Sequence, residues 1–210
     1  MVELKIEDLK EIFVELEKTA KEKKDILIEL DSAMGDGDLG ITMEKAFSAA
    51  REEAENYAGD NIGELLKKAG FAMANKAAAT MGTLTATAFI RAAAAADGNN
   101  RVDYDKIVLM FEKGIEGIKE RGKAEVGDKT MLDSLVPAYN ALKESRDNGA
   151  DLKEGMKKAV QAAENGVEQT KNMVSQFGRA HYYGEKSKGK KDPGAAAAFF
   201  FLESFSRYLN

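Results

Sequence analysis

Three aspartates and three glycines are crowded into a short segment near the front of the chain. Residues 34–41 contain Asp36, Asp38 and all three glycines, and Asp31 lies five positions before Asp36. Carboxylates at this density repel one another unless a cation lies among them, and a hard divalent cation prefers carboxylate oxygens. The segment predicts a magnesium site, with an acidic helix-capping turn that uses glycine for chain reversal as the alternative.

Two common nucleotide and metal motifs do not describe this segment. Its Asp-Gly-Asp start is similar to a calcium loop, but Gly40 and Phe47 stand where that pattern requires an acid or amide and a glutamate. The phosphate-binding pattern Gly-x-x-x-x-Gly-Lys-Ser/Thr is also missing from the sequence. An EF-hand and a P-loop are therefore excluded.

Two further segments combine charge with glycine. Residues 178–194 are glycine-rich and basic, and Arg179 there is suited to stabilising charge on a transferring phosphoryl group. The alternative is a solvated basic loop, and His181, the single histidine, is not counted as catalytic. The other segment is residues 121–131, continued by Leu132. There, Met131 and Leu132 either offer a polarisable apolar surface to a planar ring of a ligand or begin the buried apolar stripe of the next helix.

Amphipathic helices must position these three segments. Apolar residues recur at intervals of three and four almost throughout the chain, which predicts seven or eight helices and almost no strand. Asn61, Asp151 and Asp192 are predicted helix N-caps, and Pro193 suits the first helical position. Pro137 lies either in the first turn of a helix or at a kink. If consecutive helices are antiparallel, alternate connections meet at one end of an all-α bundle.

Composition narrows the class of protein. The 210 residues are 44% hydrophobic, carry 36 acidic against 31 basic residues, and lack cysteine. Scattered basic residues argue against nucleic acid as a partner, and no apolar stretch approaches the roughly 20 residues of a membrane span. No linker or repeat divides the sequence, so we expect one cytoplasmic domain over residues 1–210 that needs neither nucleic acid nor a membrane.

Taken together, the three segments resemble those of the nucleotide-binding L subunit of dihydroxyacetone kinase. The matching residues are Asp31 with Gly35-Asp36-Gly37-Asp38-Leu39-Gly40, then Gly127-Asp128-Lys129-Thr130-Met131-Leu132-Asp133, then Gly178-Arg179-Ala180 with Asp192-Pro193-Gly194-Ala195. They occur in the family's order over nearly the whole chain. The resemblance implies a barrel of about eight antiparallel amphipathic helices, with ADP or ATP and two magnesium ions held by loops at one end.

The resemblance also assigns expected roles by position. It implies that Asp31, Asp36 and Asp38 bind magnesium and that Arg179 is the catalytic residue. The nucleotide-binding residues that it implies are Leu39, Gly40, Ile41, Thr42, Thr80 and Met81 around the phosphates, Gly122 and Met131 near the base, and Arg179, Asp192, Pro193 and Gly194 on the remaining faces.

The same resemblance implies partners for the chain and shows where its sequence departs from the family pattern. In the family, a separate K subunit holds the sugar, and the phosphoryl donor is either a phosphotransferase-system carrier that recharges bound ADP or free ATP; a homodimer is another open arrangement. A regulatory nucleotide-binding module without transfer is the competing interpretation. Leu39 stands where the family usually has histidine, and Ala78-Ala79-Thr80-Met81-Gly82 replaces its usual Gly-Gly-x-Ser-Gly turn. Both departures fall at positions expected to lie near the phosphates.

Overall fold

The computed structural model describes residues 3–210, and nine α-helices account for most of that range. The helices are α1 Ile6–Glu22, α2 Lys24–Ser32, α3 Leu39–Asn56, α4 Ile62–Lys76, α5 Thr80–Ala96, α6 Tyr104–Gly122, α7 Leu132–Asp147, α8 Leu152–Gln169 and α9 Pro193–Tyr208. Two 3₁₀ segments, Thr170–Asn172 and Arg179–Ser187, lie between α8 and α9. Strands β1 Leu4–Lys5 and β2 Arg101–Val102 form a short antiparallel ribbon.

The expected barrel of eight antiparallel helices is confirmed when α1 and α2 are taken as one kinked helix. Lys23 alone separates them; its N–H donates to the carbonyl of Thr19, and its carbonyl accepts from the N–H of Leu27. Each helix packs against its neighbours in sequence, and α9 closes the ring against α1 and α8. The count of seven or eight thus missed α2 as a separate element, because it has just one fully buried apolar residue, Leu27.

The predicted apolar stripes face the interior of the barrel. Phe13, Phe47 and Leu65 are almost completely buried, and a cavity of about 230 Å³, lined almost entirely by apolar side chains, lies among α1, α3, α5, α6 and α9. Burial of these stripes supplies the main favourable free energy of folding. Within the described residues, no helix is long and apolar enough to cross a membrane.

The structure moves three predicted loop boundaries. Asp31 belongs to the last turn of α2, and α3 begins at Leu39, so the first connection is residues 33–38 rather than 31–42. α6 continues to Gly122, and the C-cap residue Lys123 that follows it has a left-handed backbone with φ 58°. Pro137 lies inside α7, about one and a half turns from its start, which is just beyond the first turn predicted as one of its two possible positions. A helix continues as long as one of its faces can be buried. The glycine content of a segment therefore does not show by itself where the helix ends.

Candidate functional site

Four connections meet at one end of the barrel, which we call the site end: residues 33–38, 77–79, 123–131 and 170–192. Direct contacts join the first, third and fourth. Arg179 pairs with Asp36, Lys190 Nζ donates to the carbonyl of Ala33 at 2.8 Å, and the N–H of Gln176 donates to the carbonyl of Asp128 at 3.1 Å. The sequence-based expectation that the three charged segments converge is confirmed.

Asp31, Asp36 and Asp38 form a carboxylate cluster at this end. One oxygen from each side chain lies within 4.8 Å of the other two. Oδ2 of Asp31 accepts the backbone N–H groups of Asp38 at 3.0 Å and Leu39 at 3.3 Å, which ties α2 to the start of α3. Partial burial, together with the carboxylates of Asp36 and Asp31, raises the pKa of Asp38.

This donor set fits a hard divalent cation. With magnesium–oxygen bonds of about 2.0 to 2.1 Å, ligand oxygens lie roughly 3 to 4 Å apart, so small side-chain rotations would bring the three carboxylates into range. Gly37 has φ 72°, and a Cβ at Gly35 would collide with Asp31. The glycines therefore allow the tight turn that places the second and third aspartates beside the first.

Arg179 supplies positive charge beside this cluster. Its Nη2 lies 2.7 Å from Oδ2 of Asp36, and its side chain is 68% exposed. The residue begins the second 3₁₀ segment, directly after Gly178 with φ 65°. A long, accessible guanidinium in this position can move from the carboxylate to a phosphoryl group without disturbing the barrel.

Among the residues that the structure describes, three helix N-termini at the site end lack an N-cap side-chain hydrogen bond, although the N–H of Leu39 donates to Asp31 and that of Leu132 to Thr130. In the described part of the chain, α3, α5, α7 and α9 begin here. Asp192 caps α9, whereas the N-cap residues of the other three, Asp38, Ala79 and Met131, form no side-chain cap within residues 3–210. The hydroxyl of Thr85 in α5 lies 4.0 Å from Sδ of Met43 in α3, so these two helices pack together at their second turns. Paired uncapped N-termini favour the binding of an anion such as phosphate.

Several predicted nucleotide residues are brought together beside these N-termini. A Cβ placed on Gly194 would lie 3.2 Å from the methyl group of Met81 and 3.4 Å from the N of Met131, so α5, α7 and α9 meet at this point. Gly122 faces the side chain of Leu84 across α5 and α6. These residues form a soft, largely apolar surface that suits a flat ring.

Other predicted residues do not present side chains to this surface. Leu39 is 3% exposed and packs in the barrel core, so only its backbone is available to a ligand. Gly40 packs against the backbone of α2, whereas Ile41 is exposed on the first turn of α3. Leucine at position 39, where the resemblance leads us to expect histidine, therefore adds an apolar side chain to the core and leaves no polar side chain at this position.

Asp192 is buried beneath the site. It is 7% exposed; its Oδ2 accepts the N–H of Ala195 at 2.7 Å, and its own N–H donates to the hydroxyl of Thr170 at 2.9 Å. Burial raises the pKa of Asp192 to about 7, which the Ala195 N–H and the Lys129 ammonium group oppose. Its side chain thus caps α9 from inside, as the sequence predicted, and Pro193 occupies the first helical turn.

Sequence reasoning missed two residues that organise the third connection. The carboxylate of Asp133 accepts the N–H groups of Gly127 at 2.6 Å and Thr130 at 2.7 Å. Lys129 has φ 62°, is 1% exposed, and donates to three backbone carbonyls. Their position within the segment Gly127-Asp128-Lys129-Thr130-Met131-Leu132-Asp133 was visible, but lysine is rarely buried, so the sequence carried no signal of this role.

Fold and site together define an all-α barrel with a carboxylate cluster and uncapped helix N-termini at one end. The family model described as DAK2 domain matches residues 33–207. The chain is 35% identical over 181 residues to the ADP-binding subunit DhaL of the PEP-dependent dihydroxyacetone kinase of Escherichia coli (strain K12), covering 86% of each. The chain therefore belongs to the DAK2 domain family.

Two further likenesses extend this result. An L-erythrulose kinase of Pectobacterium atrosepticum is 33% identical over 185 residues, covering 86% of this chain and 31% of that enzyme. The crystal structure of the dihydroxyacetone kinase from C. freundii in complex with AMP-PNP and Mg²⁺ matches with a TM-score of 0.74 at 24% identity, over 94% of this chain and 33% of that chain. At that identity, the second match supports the fold.

Proposed function

We propose that this chain is the nucleotide- and magnesium-binding subunit of a kinase for dihydroxyacetone or a related small ketose. The observation that carries the proposal is the placement of the Asp31, Asp36 and Asp38 cluster directly before the uncapped N-terminus of α3, beside that of α5. A divalent cation and a phosphate chain require adjacent anionic and N–H-donating surfaces, and this end of the barrel offers both.

The residues have complementary roles in phosphoryl transfer. Asp31, Asp36 and Asp38 would hold two magnesium ions, which supply charge neutralisation and orientation to the phosphates when bound. Leu39, Gly40, Ile41 and Thr42, with Thr80 and Met81 on α5, would lie around the phosphate oxygens. Because the N–H groups of Leu39 and Thr42 already donate to Asp31 and Asp38, those of Gly40 and Ile41 would be the phosphate donors on α3. Met131, Gly122 and Pro193–Gly194 would border the base. Arg179 would leave Asp36 and stabilise the charge on the transferring group.

We further propose that this chain covers one functional domain, residues 1–210, and acts with a separate sugar-binding K subunit in the cytoplasm. Three relatives of similar length are named as ADP-binding subunits of PEP- or PTS-dependent dihydroxyacetone kinases. These names favour bound ADP that a phosphotransferase-system carrier rephosphorylates. The alternative is exchange of free ATP and another small ketose, which the likeness to an L-erythrulose kinase favours.

A regulatory nucleotide-binding module without transfer is the weaker alternative. A module that only bound nucleotide would have no need of an exposed arginine held 2.7 Å from a carboxylate of the metal cluster. We therefore assign Arg179 to catalysis.

The proposal can be tested on the purified protein. Native mass spectrometry should show retained ADP that is released by a magnesium chelator. Incubation with a K-type subunit and dihydroxyacetone should then give the sugar phosphate with one of two donors, the phosphorylated carrier or ATP. Retention of nucleotide without product from either donor, or with L-erythrulose as acceptor, would instead support the regulatory interpretation.

A further inference from the structure

We propose that Lys129 is a positioning residue whose buried ammonium group fixes the Arg179 loop, residues 170–192, over the carboxylate cluster. The kinetic consequence rests on the proposed function, whereas the structural consequence does not. Lys129 itself lies away from the carboxylate cluster and acts through Arg179.

The geometry of Lys129 is that of an internal cation with a complete set of ligands. Its Nζ donates to the carbonyls of Ser187 at 2.6 Å, Lys190 at 2.7 Å and Met173 at 3.4 Å. An ammonium group has three N–H donors, so each finds an acceptor. Hydrogen bonds from a charged donor are stronger than neutral ones, and burial strengthens them further.

The three carbonyls belong to the two ends of one loop. Met173 lies at its beginning and Ser187 and Lys190 near its end, so Lys129 draws the ends together from below. Between them, the Ser187 hydroxyl donates to the carbonyl of Gly184 at 2.6 Å and accepts the N–H of Ser175 at 3.0 Å. Arg179 lies between Ser175 and Gly184 in the sequence, at the start of the second 3₁₀ segment.

The same loop contacts the metal-binding connection at two points. Lys190, whose carbonyl Lys129 binds, donates its Nζ to the carbonyl of Ala33, and Arg179 pairs with Asp36. Loss of the Lys129 ammonium group would leave three carbonyls without their buried donor and release the loop that carries both contacts. Because a misplacement of about 1 Å can cost about 10²-fold in rate, the loosened loop would slow transfer.

The structure offers a matched control for the test. Lys123 and Lys129 lie in the same connection and both have left-handed backbones, with φ 58° and 62°. Lys123 is exposed, whereas Lys129 is buried. Substitution of each by methionine removes the same charge from the same backbone conformation, so any difference between K123M and K129M reports the buried contacts.

The first measurement is amide hydrogen exchange, combined with circular dichroism to establish folding. In K129M we expect amide exchange to be at least 10-fold faster across residues 171–190 and unchanged in α3 to α6. In K123M we expect wild-type exchange. Unchanged protection of residues 171–190 in a folded K129M would overturn the proposal. If K129M does not fold, K129Q, which is shorter and carries no charge but keeps a polar side chain, is measured in its place, and wild-type exchange across residues 171–190 in K129Q would overturn the proposal.

The second measurement is a double-mutant cycle on phosphoryl transfer with the K-type subunit and the effective donor. K129M should lower kcat about 10²-fold, with the Kd for magnesium-bound ADP changed less than about 5-fold, and K129R should restore part of the rate. A lysine that acts through Arg179 adds nothing once Arg179 is gone, so K129M/R179A should match R179A. Multiplicative losses in the double variant would overturn the positioning role.

Failure of the two proposals can be told apart. Wild-type protein that retains nucleotide but transfers to no ketose would remove the proposed function, and the exchange measurement on K129M would still decide the structural role of Lys129. Normal wild-type transfer with full activity in K129M would overturn the inference alone.

Discussion

The two ends of the barrel differ in how their helices begin. At the end opposite the site, α4, α6 and α8 start with Asn61, Asp103 and Asp151, whose side chains each accept an N–H from the first turn. At the site end, Asp192 caps α9, whereas α3, α5 and α7 start without such caps in the described residues. A side-chain cap contributes about 1 kcal/mol to stability, so the site end gives up stability where a ligand can supply the missing acceptors.

Charge is distributed with the same asymmetry. At the opposite end, Arg101 pairs with Glu3 and Arg146 with Asp105, and the β1–β2 ribbon joins the N-terminus to the α5–α6 connection. Of the three clustered carboxylates at the site end, Asp36 pairs with Arg179, and no ion pair of Asp31 or Asp38 is present among the described residues. Unbalanced negative charge destabilises the fold until a cation binds, which makes this end responsive to ligand and the other end a stable base.

Removal of Arg179 tests the difference between the two ends with the largest expected effect. We expect R179A to lower the turnover number by about 10⁴-fold, because an arginine that stabilises the transition state contributes 10³ to 10⁵ in phosphoryl transfer. Binding of magnesium-bound ADP should change only a few-fold, measured by calorimetry. The matched variant R101A, at the opposite end, should transfer at the wild-type rate; equal losses in both variants would contradict the division of roles.

The two aspartate caps Asp192 and Asp151 provide a second test, based on pH. The pKa of Asp192 in the folded state is about 7, above the ordinary value near 3.9, so the folded state holds this proton more tightly. Stability should therefore fall as pH rises from about 4 to 7 and level off above it. The change is on the order of 4 kcal/mol, from about 3 pKa units at 1.36 kcal/mol each.

Chemical denaturation of D192N across this pH range measures that contribution. Asparagine keeps the cap but carries no titrating carboxyl, so D192N should become more stable than wild type as pH approaches 7. D151N controls for the exchange of carboxylate for amide at an exposed cap and should lie within about 0.5 kcal/mol of wild type at neutral pH. Parallel pH curves for wild type and D192N would contradict a raised Asp192 pKa.

The metal cluster provides the third test. We expect D38N to weaken ADP binding in the presence of magnesium by about 10²-fold, since a ligand to the cation is lost. The raised pKa of Asp38 also means that protons compete with magnesium at a higher pH than at an ordinary aspartate. D60N, an exposed aspartate at the opposite end, is the control. Equal affinity of D38N and wild type with magnesium would refute the assignment.

Adding a cap where the site end lacks one gives the smallest expected effect. Ala79 precedes α5 with φ −87° and ψ 165°, a backbone that suits an N-cap. A79D should raise the free energy of unfolding by about 0.5 to 1 kcal/mol and weaken ADP binding about 10-fold, because its carboxylate occupies and repels the phosphate position. A79N separates the two effects by capping without charge; tighter ADP binding by A79D would exclude phosphate at this terminus.

Much of the fold was predictable because helical periodicity is a local property. Stripes such as Leu9–Phe13–Leu16 and the caps Asn61, Asp151 and Asp192 were assigned from spacing alone and are confirmed. The short α2 was missed because its single fully buried apolar residue, Leu27, gives no stripe. Asp31 was consequently placed in a loop, although it lies on a helix.

The residues of the site also fall into two groups: those that the sequence predicted and those that only the tertiary structure placed. The sequence by itself determined the crowding of Asp36 and Asp38, the presence of Arg179 and the family, since these depend on residue type and spacing. Tertiary structure alone decided that Arg179 meets Asp36, that Leu39 faces the core, and that Lys129 and Asp192 are buried together beneath the loop. Burial and charge proximity arise from segments far apart in the chain, and no local pattern records which distant backbone carbonyls will surround a lysine.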